Sequence, residues 1–421
     1  MQQRYVALGA WATLAILGWV VAPAVAGWWA APWHAFFGRR EFWWDAEDFA
    51  VFYAAGKLVA AGDAHLLYTP SAFTPIQSAL LPTHQDVTLG YYNPPFFALL
   101  FAPISWLSFD RAYQVWFSLN LLVLAFNAWL LWRIAAPLGL AWQAALTIAL
   151  LTLYPVTFAF RLGQYSLILM ASWSSAYLLL RSGRERAAGL ALAPLLIKPE
   201  LLIPVTLLLA WKGRRAVLST LLPAAAVAAT VSIVMIGLRE TVAYPGYLRE
   251  AAFAGTGNMY GWNGLLSSLL APGNPGGHTS LALPLSLLTL AAVAVVWRGD
   301  ADPGGERFPS LWLLLTIATV LVDLHFYLQD IIIIVPAAVG VAAAQRQGAR
   351  WVAGGALAFG WLLLGFGSTP TATWGINIFT SYMLVCLVAL CSWEYVSRFV
   401  SRPPRGTALR GGFQPSRATG A

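Results

Sequence analysis

Charge is what this chain has least of: Asp, Glu, Lys and Arg together make up 10% of its 421 residues, where a soluble globular domain carries roughly 25%. A soluble enzyme is excluded on that ground, and intrinsic disorder is excluded by the 59% of hydrophobic residues. Cysteine is almost absent. The two present, Cys386 and Cys391, lie in the last apolar run at a spacing that puts them on different faces of one helix, so neither a disulfide nor a metal site is expected. The soluble catalytic signatures are missing as well: there is no Walker A loop, dinucleotide fingerprint, His-Glu-x-x-His, EF-hand or nucleophile elbow. Nucleotide-driven chemistry is disfavoured, and no metal or cofactor is expected.

What fills the chain is Leu, Ala and Val in long runs, with 21 Trp, 22 Phe and 15 Tyr. This is the composition of an all-α, polytopic helical membrane protein. The formal charge of +8 comes from Arg clusters between apolar runs rather than from one stripe, so it reads as a topology signal and not as a nucleic-acid surface. A window of about 19 residues finds a first run from Tyr5 to about Val25. Others follow at about 95–107, 111–133, 140–158, 163–180, 187–211, 214–237, 280–297, 309–323, 325–344, 350–368 and 373–396, about twelve in all. Pro23-Ala24-Val25-Ala26-Gly27 also looks like a signal-peptidase site. The first run is therefore a span or a cleaved leader, and either sends residues 27–94 outside.

Residues 27–94 form the most polar stretch, with Asp45, Glu47, Asp48, Asp63 and Asp86, and are expected to be a large first extracytoplasmic loop. Residues 238–280, with Asn258 and Asn263 in a Gly-rich segment, are expected to be a second loop on the same side. A transmembrane domain over residues 1–397 and a disordered cytoplasmic tail over 398–421 complete the layout. The Arg/Lys clusters at 181–186, 212–215, 298–307, 346–350 and 398–417 should all face the cytoplasm. The first two flank a single run, so both lie inside only if that run re-enters. A break at Lys198-Pro199 divides it into two halves too short to span, the form that non-helical backbone takes where it lines a protein cavity. The 95–107 run, opened by Pro94-Pro95, reads as a second partial element. No internal repeat of the transporter kind is visible.

Ionisable residues in or beside membrane segments are functional hypotheses by default, since each costs about 2.5–3.5 kcal/mol on the insertion scale. Asp48 precedes apolar residues at helical spacing, which predicts a short amphipathic helix lying along the interface. Asp48 equally reads as that helix's N-cap. Arg161 is a functional cation or a snorkelling interface arginine. Lys198 and Glu200 flank Pro199 and read as a site or as a structural ion pair. In Val322-Asp323-Leu324-His325-Phe326-Tyr327-Leu328-Gln329-Asp330, the His, Tyr and Asp are spaced to converge near one membrane face. Asn258 and Asn263 read first as turn residues, and His34, His65, His84 and His278 as loop residues.

One chemistry suits an extracytoplasmic carboxylate loop over a bundle edged with Arg, Lys and His. Transfer of a sugar from a lipid phosphate needs no acid for its already anionic leaving group, so a single base suffices. Cations at the membrane edge, Arg161, Lys198 or His325, would stabilise the phosphate charge that grows in the transition state. The rival from another class is a multi-span transporter or lipid flippase using the same charges as a substrate path.

At these residues the chain resembles a known family. Asp48-Phe49-x-Val-Phe-Tyr53-Ala54-Ala55-Gly56 with Leu67-Tyr68, then Tyr92-Asn93-Pro94-Pro95-Phe96-Phe97, then Gly163-Gln164 and Lys198-Pro199, look like the signature stretches of glycosyltransferase family 87. This is a polyprenyl-phosphate-mannose-dependent group of the GT-C superfamily. The resemblance implies a GT-C bundle with a catalytic aspartate in its first loop and metal-independent inverting transfer. By motif position the aspartate is Asp48, with Asp45 as runner-up. Arg161, Gln164, Lys198, His325 and Tyr327 are then candidates for binding donor phosphate or sugar, with Tyr92, Asn93, Asn263 and Asp330 as further candidates. The partners implied are a polyprenyl-phosphate sugar, a glycan or lipid acceptor and membrane lipids. The Ala, Gly, Arg and Trp usage suits a bacterial inner membrane, with the active site facing the periplasm or exterior.

Overall fold

The computed structural model describes residues 21–39, 45–80, 89–251, 259–270, 279–298, 301–345, 347–366 and 373–400. Most of the first apolar run, Asp86, His84, Asn258, His278 and the tail beyond 400 lie outside the described residues. Among those described the chain is helical throughout, its sole β contact an isolated bridge between Tyr260 and Phe326. Five helices are long and apolar enough to cross a membrane: Phe109–Ile134, Leu140–Leu162, Arg215–Ile236, Ser280–Trp297 and Ile378–Val396. Pro199–Trp211, Phe308–Val322, Leu328–Ala344 and Gly354–Gly365 are apolar but shorter.

Large apolar side chains such as Leu122, Leu140, Val234 and Val385 stand exposed on the outside of the bundle. Apolar side chains exposed in this number are stable where lipid is the solvent. Inside, polar side chains tie helix to helix: Trp173 Nε1 donates to Thr316 Oγ1 at 2.9 Å and Asn127 Nδ2 to the Leu167 carbonyl at 2.9 Å. With no water competing, such bonds and close small-residue contacts take over the work that hydrophobic burial does in soluble cores.

The broken run brings its two basic ends together. Its first half is the helix Glu185–Leu192 continued by a 3₁₀ turn Ala193–Ile197; its second is Pro199–Trp211. Both outer ends lie together, since Arg214 pairs with Glu185 at 2.8 Å. Nearby, Arg181 Nη1 donates to the carbonyls of Pro303, Gly304 and Gly305, Lys212 Nζ to that of Trp297, and Arg214 to that of Ala301. The run is thus a hairpin whose two ends return to one face, which three basic clusters share. Lys198 stands at its tip, far from that face.

The first polar stretch is more ordered than a loop. It holds the helices Glu47–Ala60 and Pro70–Leu80, and His34 lies in the helix of residues 21–36 rather than in a loop. His65 lies in the 3₁₀ turn Ala64–Leu66. The 238–280 segment likewise contains the helices Leu238–Ala251 and Trp262–Leu270. Glu47–Ala60 does not present the open polar face of an amphipathic helix, because it is buried on almost all sides. Phe49 and Tyr53 pack on Phe109, Phe52 packs on Phe97, Phe101 and Tyr165, and Gly56 lies against the Phe101 backbone. Ala50, Ala54, Ala55 and Gly56 are small enough to admit neighbours on the face that amphipathic spacing would have left open.

Candidate active site

Two turns face each other at the N-terminus of Glu47–Ala60. On one side Ala46 adopts a left-handed conformation, φ 62°, and donates its N–H to the Arg161 carbonyl at 2.8 Å. On the other, the helix Tyr154–Leu162 ends at Gly163, φ 75°. A Cβ on Gly163 would stand 2.5 Å from Cβ of Phe49, so glycine is required both by the backbone and by the close approach. Helix Phe109–Ile134 secures this second turn: Tyr113 Oη donates to the Phe160 carbonyl and Trp116 Nε1 to that of Gly163, each at 2.7 Å.

The apposed turns form a two-rung ladder. Arg161 Nε donates to Asp45 Oδ1 at 2.5 Å, and three residues along on both strands Gln164 Nε2 donates to Asp48 Oδ2 at 2.8 Å. The upper rung is an ion pair; the lower leaves Asp48 with a neutral partner. Asp48 sits in the first helical turn, where the cap position is Ala46 and no side chain caps; the N-cap reading is therefore corrected. Burial pushes the Asp48 carboxyl up to about 6, opposed by the Gln164 hydrogen bond and helped by the charge of Asp330. Its neighbour Glu47 is pushed up to about 8, by burial and then by the Asp48 charge. Arg161 also lines a cavity of about 200 Å³ with Trp28, Tyr154, Thr157 and Phe158.

The hairpin tip supplies the opposite wall. Lys198 Nζ donates to Asp330 Oδ2 at 2.6 Å and to the His325 carbonyl at 2.7 Å, and lies 3.6 Å from Asp323 Oδ2. Of the two readings of Lys198, the direct ion pair with Glu200 is not formed; Lys198 makes these contacts instead. Asp330 also accepts from Ser166 Oγ at 2.6 Å. The imidazole of His325 stands between the rings of Tyr92 and Tyr327, at 6.1 and 4.8 Å. Burial, and secondarily the Lys198 charge, push it down to about 3; His325 is a neutral imidazole rather than the cation expected.

The remaining candidates fall around this centre. Asn93 Nδ2 donates to Tyr165 Oη at 2.8 Å while its carbonyl accepts from Tyr68 Oη at 2.8 Å. The Tyr92 carbonyl accepts from Tyr244 Oη at 2.9 Å. Asn263 is helical rather than a turn residue, and its Nδ2 donates to the Leu324 carbonyl at 3.1 Å. The structure thus brings Asp45, Asp48, Tyr92, Asn93, Arg161, Gln164, Lys198, Asn263, His325, Tyr327 and Asp330 to one region. Sequence reasoning did not select Ser166 or Asp323. Asp323 carried a signal, a carboxylate closing an apolar run; Ser166 carried none.

Three helices measure how deep this region lies. Ser166–Arg181, Pro199–Trp211 and Phe308–Val322, of 16, 13 and 15 residues, each join it to the basic face. At about 1.5 Å per residue these helices are about 20–24 Å long, which sets the upper limit of its distance from that face.

Comparison with known families finds glycosyltransferase family 87 matching residues 91–323. No curated protein and no solved structure gives a match. The matched stretch includes Arg161, Gln164 and Lys198; Asp45, Asp48 and His325 lie outside it and are joined to it by the contacts above.

Proposed function

The chain belongs to glycosyltransferase family 87, a family of membrane glycosyltransferases, and we propose that it moves a sugar, mannose or another hexose, from a polyprenyl-phosphate donor to a glycan or lipid acceptor. The observation that carries the reading is the recessed pair Asp48–Gln164. A site at most about 20–24 Å from the basic face falls short of a hydrocarbon core about 30 Å thick. That depth supports a site sunk into the far leaflet, where a lipid-linked sugar would reach it without leaving the membrane. The shared face of the Arg/Lys clusters supports, by the positive-inside rule, reading that leaflet as the extracytoplasmic one. The proposed location is a bacterial inner membrane, with the site open to the periplasm.

Asp48 is the proposed base. It takes the proton of an acceptor hydroxyl while the oxygen attacks the anomeric carbon, and the bond from that carbon to the phosphate oxygen breaks with its electron pair on the lipid phosphate. One displacement inverts the anomeric centre, without a metal. Gln164 fixes the carboxylate's direction, and a pKa near 6 leaves the base ionised at neutral pH yet still able to accept a proton. Asp45, the runner-up, is committed to Arg161. A guanidinium with five donors can serve that carboxylate and a donor phosphate together. Neutral His325, with Tyr327 and Tyr92, offers hydrogen bonds to the sugar–phosphate linkage.

Purified protein given a panel of radiolabelled polyprenyl-phosphate sugars and membrane-extract acceptors should release lipid phosphate and form a labelled glycoside without any ion gradient. Gradient-dependent movement of label with no covalent product would replace this reading with a transporter. Arg161→Met should raise the donor KM far more than it lowers kcat.

A further inference from the structure

Residues 323–327 break the helical pattern between two apolar helices, at the depth of the site. Non-helical backbone is tolerated there only when its polar groups find partners within the protein. Here each carbonyl from Leu324 to Tyr327 has one, from a different source. The Leu324 carbonyl accepts from Asn263 Nδ2 at 3.1 Å, that of His325 from Lys198 Nζ at 2.7 Å, that of Phe326 from the Tyr260 N–H at 2.7 Å and that of Tyr327 from the Asp330 N–H at 3.1 Å. The His325 N–H donates to Asp323 Oδ1 at 2.8 Å. Lys198 therefore stands at the centre of a clamp. Its ammonium holds the carbonyl of His325, ion-pairs with Asp330, lies near Asp323 and sits 5.1 Å over the Phe326 ring. One positive charge facing two carboxylates at 2.6 and 3.6 Å has little left to offer an incoming phosphate.

We propose that Lys198 is a positioning residue: the tip of the hairpin grips the backbone of residues 323–330 and so holds the His325 imidazole between Tyr92 and Tyr327, rather than binding the donor phosphate. The inference rests on the glycosyl-transfer reading for the part His325 plays, while the clamp stands on geometry alone. The hairpin gains a purpose by it. A helix that turns back at the depth of the site delivers a cation to this segment.

The test compares Lys198→Met, Lys198→Arg and Asn263→Ala in the full-length, detergent-purified protein. Transfer kinetics are measured with a polyprenyl-phosphate sugar, binding with radiolabelled polyprenyl phosphate, and carbethoxylation of His325 by diethylpyrocarbonate with mass spectrometry. The clamp predicts a kcat about 100-fold lower in each variant, with the donor KM unchanged within about threefold. It also predicts unchanged lipid-phosphate affinity and faster carbethoxylation of His325. Arginine does not rescue, because its planar fork cannot take the place of a compact ammonium between Asp330 and the His325 carbonyl. A donor KM and lipid-phosphate affinity worsened by Lys198→Met and restored by Lys198→Arg, with His325 carbethoxylation unchanged, would overturn the inference and make Lys198 a phosphate ligand. Should the unaltered protein transfer no sugar, the proposed function fails, and the carbethoxylation and binding arms still decide the clamp. Should Lys198→Met not fold, the other two variants carry the same comparison.

Discussion

Replacing Gly163 by alanine should damage this protein through two separable terms. The first is conformational: Gly163 sits at φ 75°, ψ 35°, and an L-residue in the left-handed region costs roughly 1–2 kcal/mol. The second is steric. The new methyl group would stand 2.5 Å from Cβ of Phe49 and 3.3 Å from Cε2 of Tyr113, both side chains deeply buried, and overpacking of this kind costs about 1–3 kcal/mol. Together they amount to about 2–5 kcal/mol. Gly183 provides the control, with φ 71° and nothing within 4 Å of where a Cβ would stand; Gly183→Ala should show the conformational term alone. Thermal unfolding of both variants in one detergent should give a clearly larger loss for Gly163→Ala. Transfer activity should fall in that variant beyond what the stability loss explains, because the displaced turn carries both Arg161 and Gln164 away from their carboxylates. Equal losses in the two variants would refute the claim that the close approach to Phe49 sets the geometry of the ladder.

Three further outcomes follow from the same geometry. The transfer rate should rise with pH through about 6 as Asp48 loses its proton; since the Gln164 hydrogen bond lowers that pKa, Gln164→Leu should move the midpoint of the pH profile upward. The Arg161–Asp45 pair is 13% and 2% exposed, so Asp45→Asn should cost up to about 3–5 kcal/mol in a denaturation experiment by removing the charge opposite a buried guanidinium, and adding Arg161→Met should recover part of the loss. In a background lacking Cys386 and Cys391, cysteines placed at Ser182 and Arg215 should react with an impermeant maleimide from the same side of sealed vesicles, and one at Ser71 from the opposite side; opposite labelling of Ser182 and Arg215 would show that the hairpin does not re-enter.

Much of the fold was legible because hydropathy and proline report it directly. The break at Lys198-Pro199 and the partial element after Pro94-Pro95 both appear where those prolines stand. Hydropathy carries no direction, however, and that Glu185 and Arg214 meet is a tertiary fact. The burial of Glu47–Ala60 was misread for a related reason. Small residues at Ala50, Ala54, Ala55 and Gly56 look like a neutral face until a neighbour such as Phe101 is seen to need the space. The candidate site showed itself through residues that are costly in a membrane, Asp48, Arg161, Lys198, His325 and Asp330, while their pairing did not. Lys198 is nearer in sequence to Glu200 yet bonds Asp330, 132 residues away. Nothing in an alanine announces the left-handed turn at Ala46, and nothing in a serine announces that Ser166 completes the shell of Asp330.

The measurement that tests the central claim most directly is single-turnover transfer from a radiolabelled polyprenyl-phosphate sugar by the unaltered protein, Asp48→Asn and Asp45→Asn, with donor binding measured on the same samples. Asp48→Asn should bind donor normally and form no glycoside, while Asp45→Asn should retain turnover with weakened donor binding. Near-normal turnover by Asp48→Asn would contradict that claim.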